Sequence, residues 1–161
     1  MAAIEVRTLT SDDWQLSRDL RLTALRDSPG AFLSTAAREE AYDETLWRSR
    51  TPTTAVAFRD RDAVGIVGWY RPDPAVQRLD LVSMWVRADA RGSAAATRLV
   101  EHVIAVAGTE LELVLGVMAD NVRARALYER MGFVTVSDAD PDGIATGSPM
   151  QMVYAPAAPP D

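Results

Sequence analysis

Apolar and polar positions along the chain follow two periods, and each period predicts one kind of element. Residues 4–8 alternate apolar and polar side chains, as a strand with one buried face does. Apolar residues then recur at helical spacing as far as residue 27, and a second helix is predicted over 35–50. Two runs, 77–86 and 111–118, are apolar on both faces, which is typical of central strands. The remaining predictions are strands at 54–59, 63–70, 134–137 and 150–154, and helices at 93–107 and 122–131.

Strands and helices alternate along the chain without a repeat or a linker, so a single α/β domain over residues 1–154 is predicted. The chain has 161 residues, enough to bury a core without disulfides or a structural metal. A turn-rich stretch, 138–148, is expected to join the last two strands. The end of the chain, 155–161, is rich in proline and alanine and is expected to be disordered.

Composition excludes several classes of function. The chain has no cysteine and one histidine, which argues against a metal centre and rules out a cysteine nucleophile. It also has no lysine, so Schiff-base chemistry and a Walker-type phosphate site are excluded. The net charge of −6 argues against a nucleic-acid partner. No apolar run could span a bilayer and no signal-peptide pattern is visible, so we expect a cytoplasmic protein without a membrane partner.

The first candidate site is the junction between a central strand and a helix, from Val86 to Ala96. Small side chains follow Arg91 there, and a helix start with little steric cover offers free backbone N–H groups and a positive dipole end to a pyrophosphate. Residues 87–130 balance 6 arginines against 6 acids, which makes this section the least anionic part of the chain. The alternative is an alanine-rich helix start that only packs closely on the strand.

The second candidate site is the helix that follows Asn121. Asn121 is a suitable N-cap, and Ala124, Tyr128 and Met131 lie on one helical face. The small Ala124 side chain leaves room for a ligand beside the Tyr128 ring. The alternative is a core tyrosine whose hydroxyl is satisfied within the protein.

In this order and spacing the two segments resemble the GNAT superfamily of acyl-CoA-dependent N-acyltransferases. The family's pyrophosphate motif, Q/R-x-x-G-x-G/A, aligns with Arg91, Gly92, Ser93, Ala94, Ala95 and Ala96, with Ala94 where the family normally has glycine. The later motif, N-x-x-A-x-x-L-Y-x-x-x-G-F, is present as Asn121, Ala124, Leu127, Tyr128, Gly132 and Phe133. Residues 81–86 resemble the family's fourth strand. The resemblance implies an α/β (α+β) fold with a mixed, mostly antiparallel sheet of about seven strands, flanked by about four helices and splayed at strands 4 and 5.

The resemblance implies an N-acetyltransferase that moves an acetyl group from acetyl-CoA, without a metal, to a primary amine. The acceptor would be a small molecule or a peptide (a protein N-terminus or lysine) that attacks directly in a ternary complex. Tyr128 matches the general acid that protonates the departing sulfur of CoA. Asp80 is the candidate base, because its strand position places it on the same face as the apolar Val82, Met84 and Val86. The alternative for Asp80 is an ion pair with a neighbouring arginine.

CoA contacts follow from the same resemblance. The backbone of Met84, Trp85 and Val86 would hold the pantetheine arm as an added strand. The residues expected at the phosphates are Gly92, Ser93, Ala94, Ala95 and Ala96, with Arg87, Arg91 and Arg125 as cationic partners. Asn121 would contact the arm, cap its helix, or do both.

Three alternatives stay open from the sequence. A non-catalytic GNAT-like module that binds or senses acyl-CoA is favoured by Ala94. The acidic run Glu39, Glu40, Asp43 and Glu44 either attracts a cationic amine or forms a solvated helix face. The assembly is either a monomer or a homodimer.

Overall fold

Seven strands and five helices make up the part of the chain that the computed structural model describes, residues 3–136 and 149–156. The strands are β1 (Ile4–Thr8), β2 (Thr54–Arg59), β3 (Asp62–Tyr70), β4 (Arg78–Val86), β5 (Glu112–Val117), β6 (Phe133–Thr135) and β7 (Met150–Tyr154). The helices are α1 (Trp14–Asp27), α2 (Ala36–Glu40), α3 (Glu44–Arg50), α4 (Ala95–Ala107) and α5 (Val122–Arg130). The stretch 138–148 and the residues of the tail beyond 156 lie outside the described residues.

The strands form one mixed sheet in the order β1-β2-β3-β4-β5-β7-β6. Every neighbouring pair is antiparallel except β4 and β5, which run parallel. Their pairing covers only Arg78–Leu81 against Glu112–Leu115. Beyond Leu81 the two strands separate, so the predicted splay between strands 4 and 5 is confirmed.

Apolar side chains cover both faces of the sheet. On one face α4 buries Leu99, Val100 and Val103 completely, and Tyr128 of α5 belongs to the same apolar cluster. On the other face α1 contributes Ala24 to a smaller cluster that includes Trp85. The sheet therefore separates two helical layers, as its apolar central strands require. No helix of the described residues is long and apolar enough to cross a membrane.

The prediction of one helix over residues 35–50 is wrong, because the segment forms two short helices, α2 and α3. Thr35 caps α2 and accepts a hydrogen bond from the Arg38 N–H. Asp43 has an extended backbone, and its Oδ1 accepts a hydrogen bond from the Leu46 N–H at 2.9 Å. An aspartate that caps a new helix ends the preceding one, which apolar periodicity alone does not reveal.

Each acid of the acidic run has a polar partner within the chain. Asp43 caps α3, and the other three acids pair with arginines: Glu39 with Arg21, Glu40 with Arg26, and Glu44 with Arg48. The Arg21–Glu39 pair is buried, with side chains 10% and 2% exposed. Burial alone would raise the pKa of Glu39, but the hydrogen bonds and charge of Arg21 and the charge of Arg50 bring it below its usual value.

Close packing of α4 on the sheet depends on Gly65 in β3. A Cβ at this position would lie 3.0 Å from the Leu99 Cδ1 and 3.1 Å from the Trp85 carbonyl oxygen. Gly65 therefore lets α4 pack closely on β3 and β4.

We predict that Gly65→Ala lowers the free energy of unfolding by about 1 to 3 kcal/mol, because the added methyl overpacks the interface between α4 and the sheet. Gly30→Ala is the control, since a Cβ at Gly30 has no atom within 4 Å, and it should change stability by less than about 0.5 kcal/mol. Urea unfolding monitored by circular dichroism measures both. Equal losses would show that α4 does not need this close approach.

We also predict that Glu39→Gln lowers the free energy of unfolding by about 3 kcal/mol, because it leaves the buried Arg21 without its charge partner. Glu40→Gln, in the same helix but with a side chain that is 42% exposed, should cost less than about 1 kcal/mol. The same unfolding titrations compare the two variants. A Glu39→Gln protein as stable as the Glu40→Gln protein would contradict a structural role for the buried pair.

Candidate functional site

A cavity of about 640 Å³ opens where β4 and β5 separate. One wall is the β4 segment 81–86, and the opposite end of the gap is lined by Gly116, Val117 and Met118. The start of α4 and the inner face of α5 complete the lining. Because β5 pairs with β4 only as far as Leu81, the backbone of 82–86 faces this cavity along an edge without a strand partner.

A β-bulge in β4 shapes that edge. The β3–β4 register passes from Gly68 opposite Val82 to Ile66 opposite Trp85, so Ser83 and Met84 together face one β3 residue. Ser83 has a φ of 61°, a left-handed conformation that is uncommon for a residue other than glycine. Such strain is typical of functional sites.

The bulge also changes which residues of β4 point to which face of the sheet: odd-numbered residues face α4 before it, and even-numbered residues do so after it. Before it, Leu79 and Leu81 contribute to the cluster beneath α4, and after it Val86 does, while Trp85 joins the cluster beneath α1. The prediction that Asp80 shares a face with Met84 and Val86 is therefore wrong, since one extra residue reverses the alternation. Position 83 is a serine and not a glycine or proline, so the sequence gives no signal of the bulge.

Asp80 forms the ion pair that the sequence left as its alternative. Its Oδ1 and Oδ2 accept hydrogen bonds from Arg78 Nε and Nη2 at 2.6 and 3.1 Å. The carboxylate is 15% exposed and lines a second cavity, not the one that holds Tyr128.

The start of α4 presents free backbone donors to the first cavity. Gly92 has a φ of 82°, which turns the chain from the Ala88–Ala90 turn into α4. The neighbouring Ala94 has ordinary right-handed angles (φ −73°, ψ −1°) and an exposed side chain, so alanine fits there without backbone strain. Among the described residues no acceptor is found for the backbone N–H groups of Gly92, Ala94, Ala96 and Thr97.

The predicted cofactor-binding residues divide into two groups. Those that line the first cavity together with Tyr128 are Met84, Trp85, Val86, Arg91, Gly92, Ser93, Ala96 and Asn121. Those that do not line it are Arg87, Ala94, Ala95 and Arg125. Ala95 is fully buried against the sheet.

Two of the three predicted arginines are engaged elsewhere. Arg87 donates to both oxygens of Asp89, and the hydrogen bonds of Arg87 lead the effects that lower the pKa of Asp89 to about 2. Arg125 donates to the Ala119 carbonyl. Arg123 and Arg130 line the cavity instead, and the sequence analysis missed them. They were identifiable only once the orientation of α5 was known.

Asp27, at the end of α1, joins Arg91, the third of the predicted arginines, to β4. Its Oδ2 accepts hydrogen bonds from Trp85 Nε1 at 3.0 Å, from Arg91 Nη2 at 2.9 Å and from Ser28 Oγ at 2.8 Å. The hydrogen bond from Trp85, followed by those from Ser28 and Arg91, lowers the pKa of Asp27. Arg91 also donates to the Val86 carbonyl at 3.0 Å. One carboxylate therefore holds α1, β4 and the start of α4 together.

Asn121 and Tyr128 lie on the cavity face of α5. Asn121 Oδ1 accepts a hydrogen bond from the Ala124 N–H at 3.2 Å, so Asn121 caps the helix as predicted. The Tyr128 ring packs against Phe133 at 5.6 Å and is 5% exposed. Burial raises the pKa of Tyr128, so the phenol carries its proton at neutral pH.

The second cavity has a volume of about 690 Å³ and adjoins the first. The two share the lining residues Ala31, Phe32, Leu81, Val82, Ser83, Gly116 and Met118. The second extends toward α2, α3 and β7 and is lined by charged side chains. Two ligands could thus meet at the β4 bulge. No group of acids and histidines among residues 3–136 and 149–156 could hold a metal ion.

Solved structures share this fold at low sequence identity. The PaiA N-acetyltransferase of Thermoplasma acidophilum, in complex with coenzyme A, is 16% identical with a TM-score of 0.70, covering 94% of this chain and 98% of that one. Diaminobutyrate acetyltransferase EctA of Paenibacillus lautus, in complex with L-2,4-diaminobutyric acid and coenzyme A, is 17% identical with a TM-score of 0.68 (97% and 96% covered). Naa50 of Arabidopsis thaliana, bound to the bisubstrate analogue CoA-Ac-MVNAL, is 16% identical with a TM-score of 0.69 (94% and 98% covered).

A search of curated protein sequences finds no match. The model of the Acetyltransferase (GNAT) family, in contrast, matches residues 18–133, which is more than two thirds of the chain. That range includes α1, the splayed β4–β5 pair, the start of α4 and the Tyr128 helix. The chain belongs to the GNAT acetyltransferase family.

Proposed function

We propose that the protein is an N-acetyltransferase that moves an acetyl group from acetyl-CoA to a primary amine within a ternary complex. The observation that carries the proposal is the position of Tyr128, a buried and protonated phenol on the wall of the gap between β4 and β5. The second cavity supports a ternary complex, because it meets the first at the β4 bulge and gives an amine its own entry.

The residues around the first cavity suit CoA. An extended arm could pair with the unpartnered edge of β4 at Met84, Trp85 and Val86, as an added strand does. The free N–H groups between Gly92 and Thr97, together with the dipole of α4, favour a pyrophosphate. Arg123 and Arg130 supply positive charge at the same cavity, and Arg91 lines it while paired with Asp27.

The chain's own groups can supply the proton transfers. Acetyl-CoA brings the acetyl group as an activated thioester. Tyr128 holds a proton at neutral pH and can donate it to the departing sulfur. A backbone N–H of Met84, Trp85 or Val86 can donate to the carbonyl oxygen as negative charge develops on it. Because the chain has no cysteine, a thiol-based acyl-enzyme is excluded, and direct attack by the amine is the most economical mechanism.

We propose Asp80 as the acceptor of the amine's proton. It lines the second cavity, and each of its oxygens keeps a lone pair after pairing with Arg78. The other carboxylate on that wall, Glu39, is buried in its pair with Arg21. Asp80 is thus the more accessible acid for an ammonium group that must lose a proton before it attacks.

The structural neighbours support an amine acceptor. The Paenibacillus protein is bound to a diamino acid and coenzyme A, and the Arabidopsis protein to an analogue that links CoA to a peptide. Both a small amine and a peptide amine are therefore acceptors to test.

A non-catalytic module that binds or senses acyl-CoA is the second candidate, and its support in the sequence is alanine instead of glycine at position 94. The Ala94 side chain does not line the cavity, so its methyl group gives this candidate little support. The test is to incubate the protein with acetyl-CoA and a panel of amines and to detect free CoA with a thiol reagent. The absence of cysteine removes any background from the protein. Binding of acetyl-CoA without amine-dependent release of CoA would favour the sensor.

We predict that CoA stabilises the fold, because it binds only the native state. A concentration 100 times the Kd adds about 2.7 kcal/mol, which raises the Tm by roughly 5 to 10 °C. Gly92→Ala should reduce this shift, since alanine disfavours the φ of 82° that shapes the start of α4.

Gly108→Ala is the matched control for Gly92→Ala. Gly108 also has a positive φ (61°) and open space around it, but it lies at the far end of α4. Each variant should lose about 1 to 3 kcal/mol of stability in the absence of ligand, because alanine disfavours both positive-φ conformations. Only Gly92→Ala should lose part of the CoA-induced shift. A wild-type Tm that does not rise with millimolar CoA would refute CoA binding at this cavity.

We predict that Tyr128→Phe lowers kcat about 100-fold, with little change in the KM for acetyl-CoA, because it removes the proton donor and keeps the ring. Tyr154→Phe is the control, since Tyr154 packs on the same Phe133 ring at 5.3 Å and does not line the cavity. Steady-state kinetics at pH 7.5 compare the three proteins. An unchanged kcat for Tyr128→Phe would remove the phenol from the mechanism. Loss of a cooperative melt would show that its hydroxyl is structural.

A further inference from the structure

Positive charge predominates on the walls of the second cavity. Its described lining contains four arginines, Arg21, Arg38, Arg50 and Arg78, and two carboxylates, Glu39 and Asp80. A cavity that selected amines by their positive charge alone would carry an excess of negative charge on its walls. The balance therefore indicates that the acceptor brings negative charge as well as an amine.

Ion pairing within the chain leaves the excess positive charge on two of the four arginines, Arg38 and Arg50. Asp80 is paired with Arg78, and both oxygens of Glu39 accept hydrogen bonds from Arg21 at 2.9 and 3.0 Å. Arg50 reaches Glu39 only at 3.8 Å, beyond hydrogen-bond distance. One buried carboxylate thus faces two guanidinium groups, and its hydrogen bonds go to Arg21.

Two aromatic rings hold the Arg50 guanidinium in place, and its N–H groups donate no hydrogen bond to them. Its guanidinium carbon lies 5.5 Å from the ring centres of both Tyr42 and Trp47. Its side chain makes no hydrogen bond to another described residue and is 39% exposed. Aromatic contacts fix a guanidinium and leave its planar set of N–H donors for a ligand.

We propose that the second cavity binds an acceptor amine that carries a carboxylate, and that Arg50 forms the ion pair with this carboxylate. Arg38, exposed on α2 at the same cavity, adds to the attraction. Asp80 lies on the β4 side of the cavity, where it can receive the ammonium group. The inference rests on the proposed function, and it names amino-acid-like amines as the acceptor class.

The test uses sets of amines that differ only in the carboxylate: an amino acid, its amide and its decarboxylated amine, with a dipeptide as a second source of the carboxylate. Amine-dependent release of CoA gives kcat/KM for each. We expect the wild type to prefer the carboxylate-bearing member at least 10-fold. A dipeptide that exceeds the free amino acid would place the carboxylate at a peptide C-terminus.

Arg50→Gln should lower kcat/KM for carboxylate-bearing amines by 10- to 100-fold and leave the amides unchanged. Arg48→Gln is the matched control, because Arg48 lies in the same helix with a side chain 40% exposed, pairs with Glu44 and does not line the cavity. It should change neither value. Arg38→Gln should act in the same direction as Arg50→Gln but less strongly. It keeps the test decisive if Arg50→Gln fails to fold.

Failure of this inference and failure of the proposed function are distinguishable. Equal turnover of acids and amides, or an Arg50→Gln effect on both, would overturn the inference and leave the acetyltransferase intact. If no amine is turned over, calorimetry with amino acids in the presence of CoA still decides. Binding to the wild type and to Arg48→Gln but not to Arg50→Gln supports the carboxylate site, and absence of binding to the wild type refutes it.

Discussion

Hydrogen bonding between β4 and β5 ends after Leu81 and Leu115, although β4 continues for five more residues. Backbone groups along such an edge must bind water or a ligand, because buried polar groups without partners are costly. Both cavities lie against this edge, and the start of α4 and the inner face of α5 converge on it. The early end of one parallel strand pair therefore brings both cavities to one edge, where we propose that the two substrates meet.

Two local features keep the gap in its shape. The bulge at Ser83 directs the residues after it to the opposite faces of the sheet, which puts Trp85 beneath α1. The carboxylate of Asp27 then binds the Trp85 indole and the Arg91 guanidinium together. The end of α1, the free edge of β4 and the start of α4 are thus coupled through one charged group. Through this coupling α1 contacts the edge of the first cavity, and through Arg21 it lines the second.

The sequence predicts much of this architecture because its signals are local. Alternation and apolar runs locate all seven strands, and Asn121 and Gly132 bracket α5 at the expected positions. The helix predicted over 35–50 fails because Asp43 caps a new helix, and side-chain capping there outweighs apolar periodicity. The face of Asp80 is wrong because a bulge with serine at the left-handed position has no distinctive residue signature.

The candidate site shows the same difference between local signals, which the sequence reveals, and contacts between distant residues, which it does not. Motif residues such as Tyr128 and Gly92 are recognisable from spacing, and the structure brings them to one cavity. The charge partners are not recognisable in this way. Arg87 and Arg125 donate to Asp89 and to the Ala119 carbonyl, whereas Arg123 and Arg130 line the cavity. Arg50 lies 3.8 Å from Glu39, and its hydrogen-bond donors stay unused because Arg21, distant in sequence, donates to that carboxylate. Pairings between distant residues depend on the tertiary fold.

Hydrogen–deuterium exchange with and without acetyl-CoA tests the central claim most directly, because it reports on the backbone groups that the gap leaves without partners. If the β4 edge and the start of α4 bind the cosubstrate, exchange should slow at residues 82–86 and 92–97. Exchange in β2, residues 54–59, which is away from the gap, should be unchanged. Protection confined to other segments, or absent from both ranges at saturating acetyl-CoA, would contradict the account.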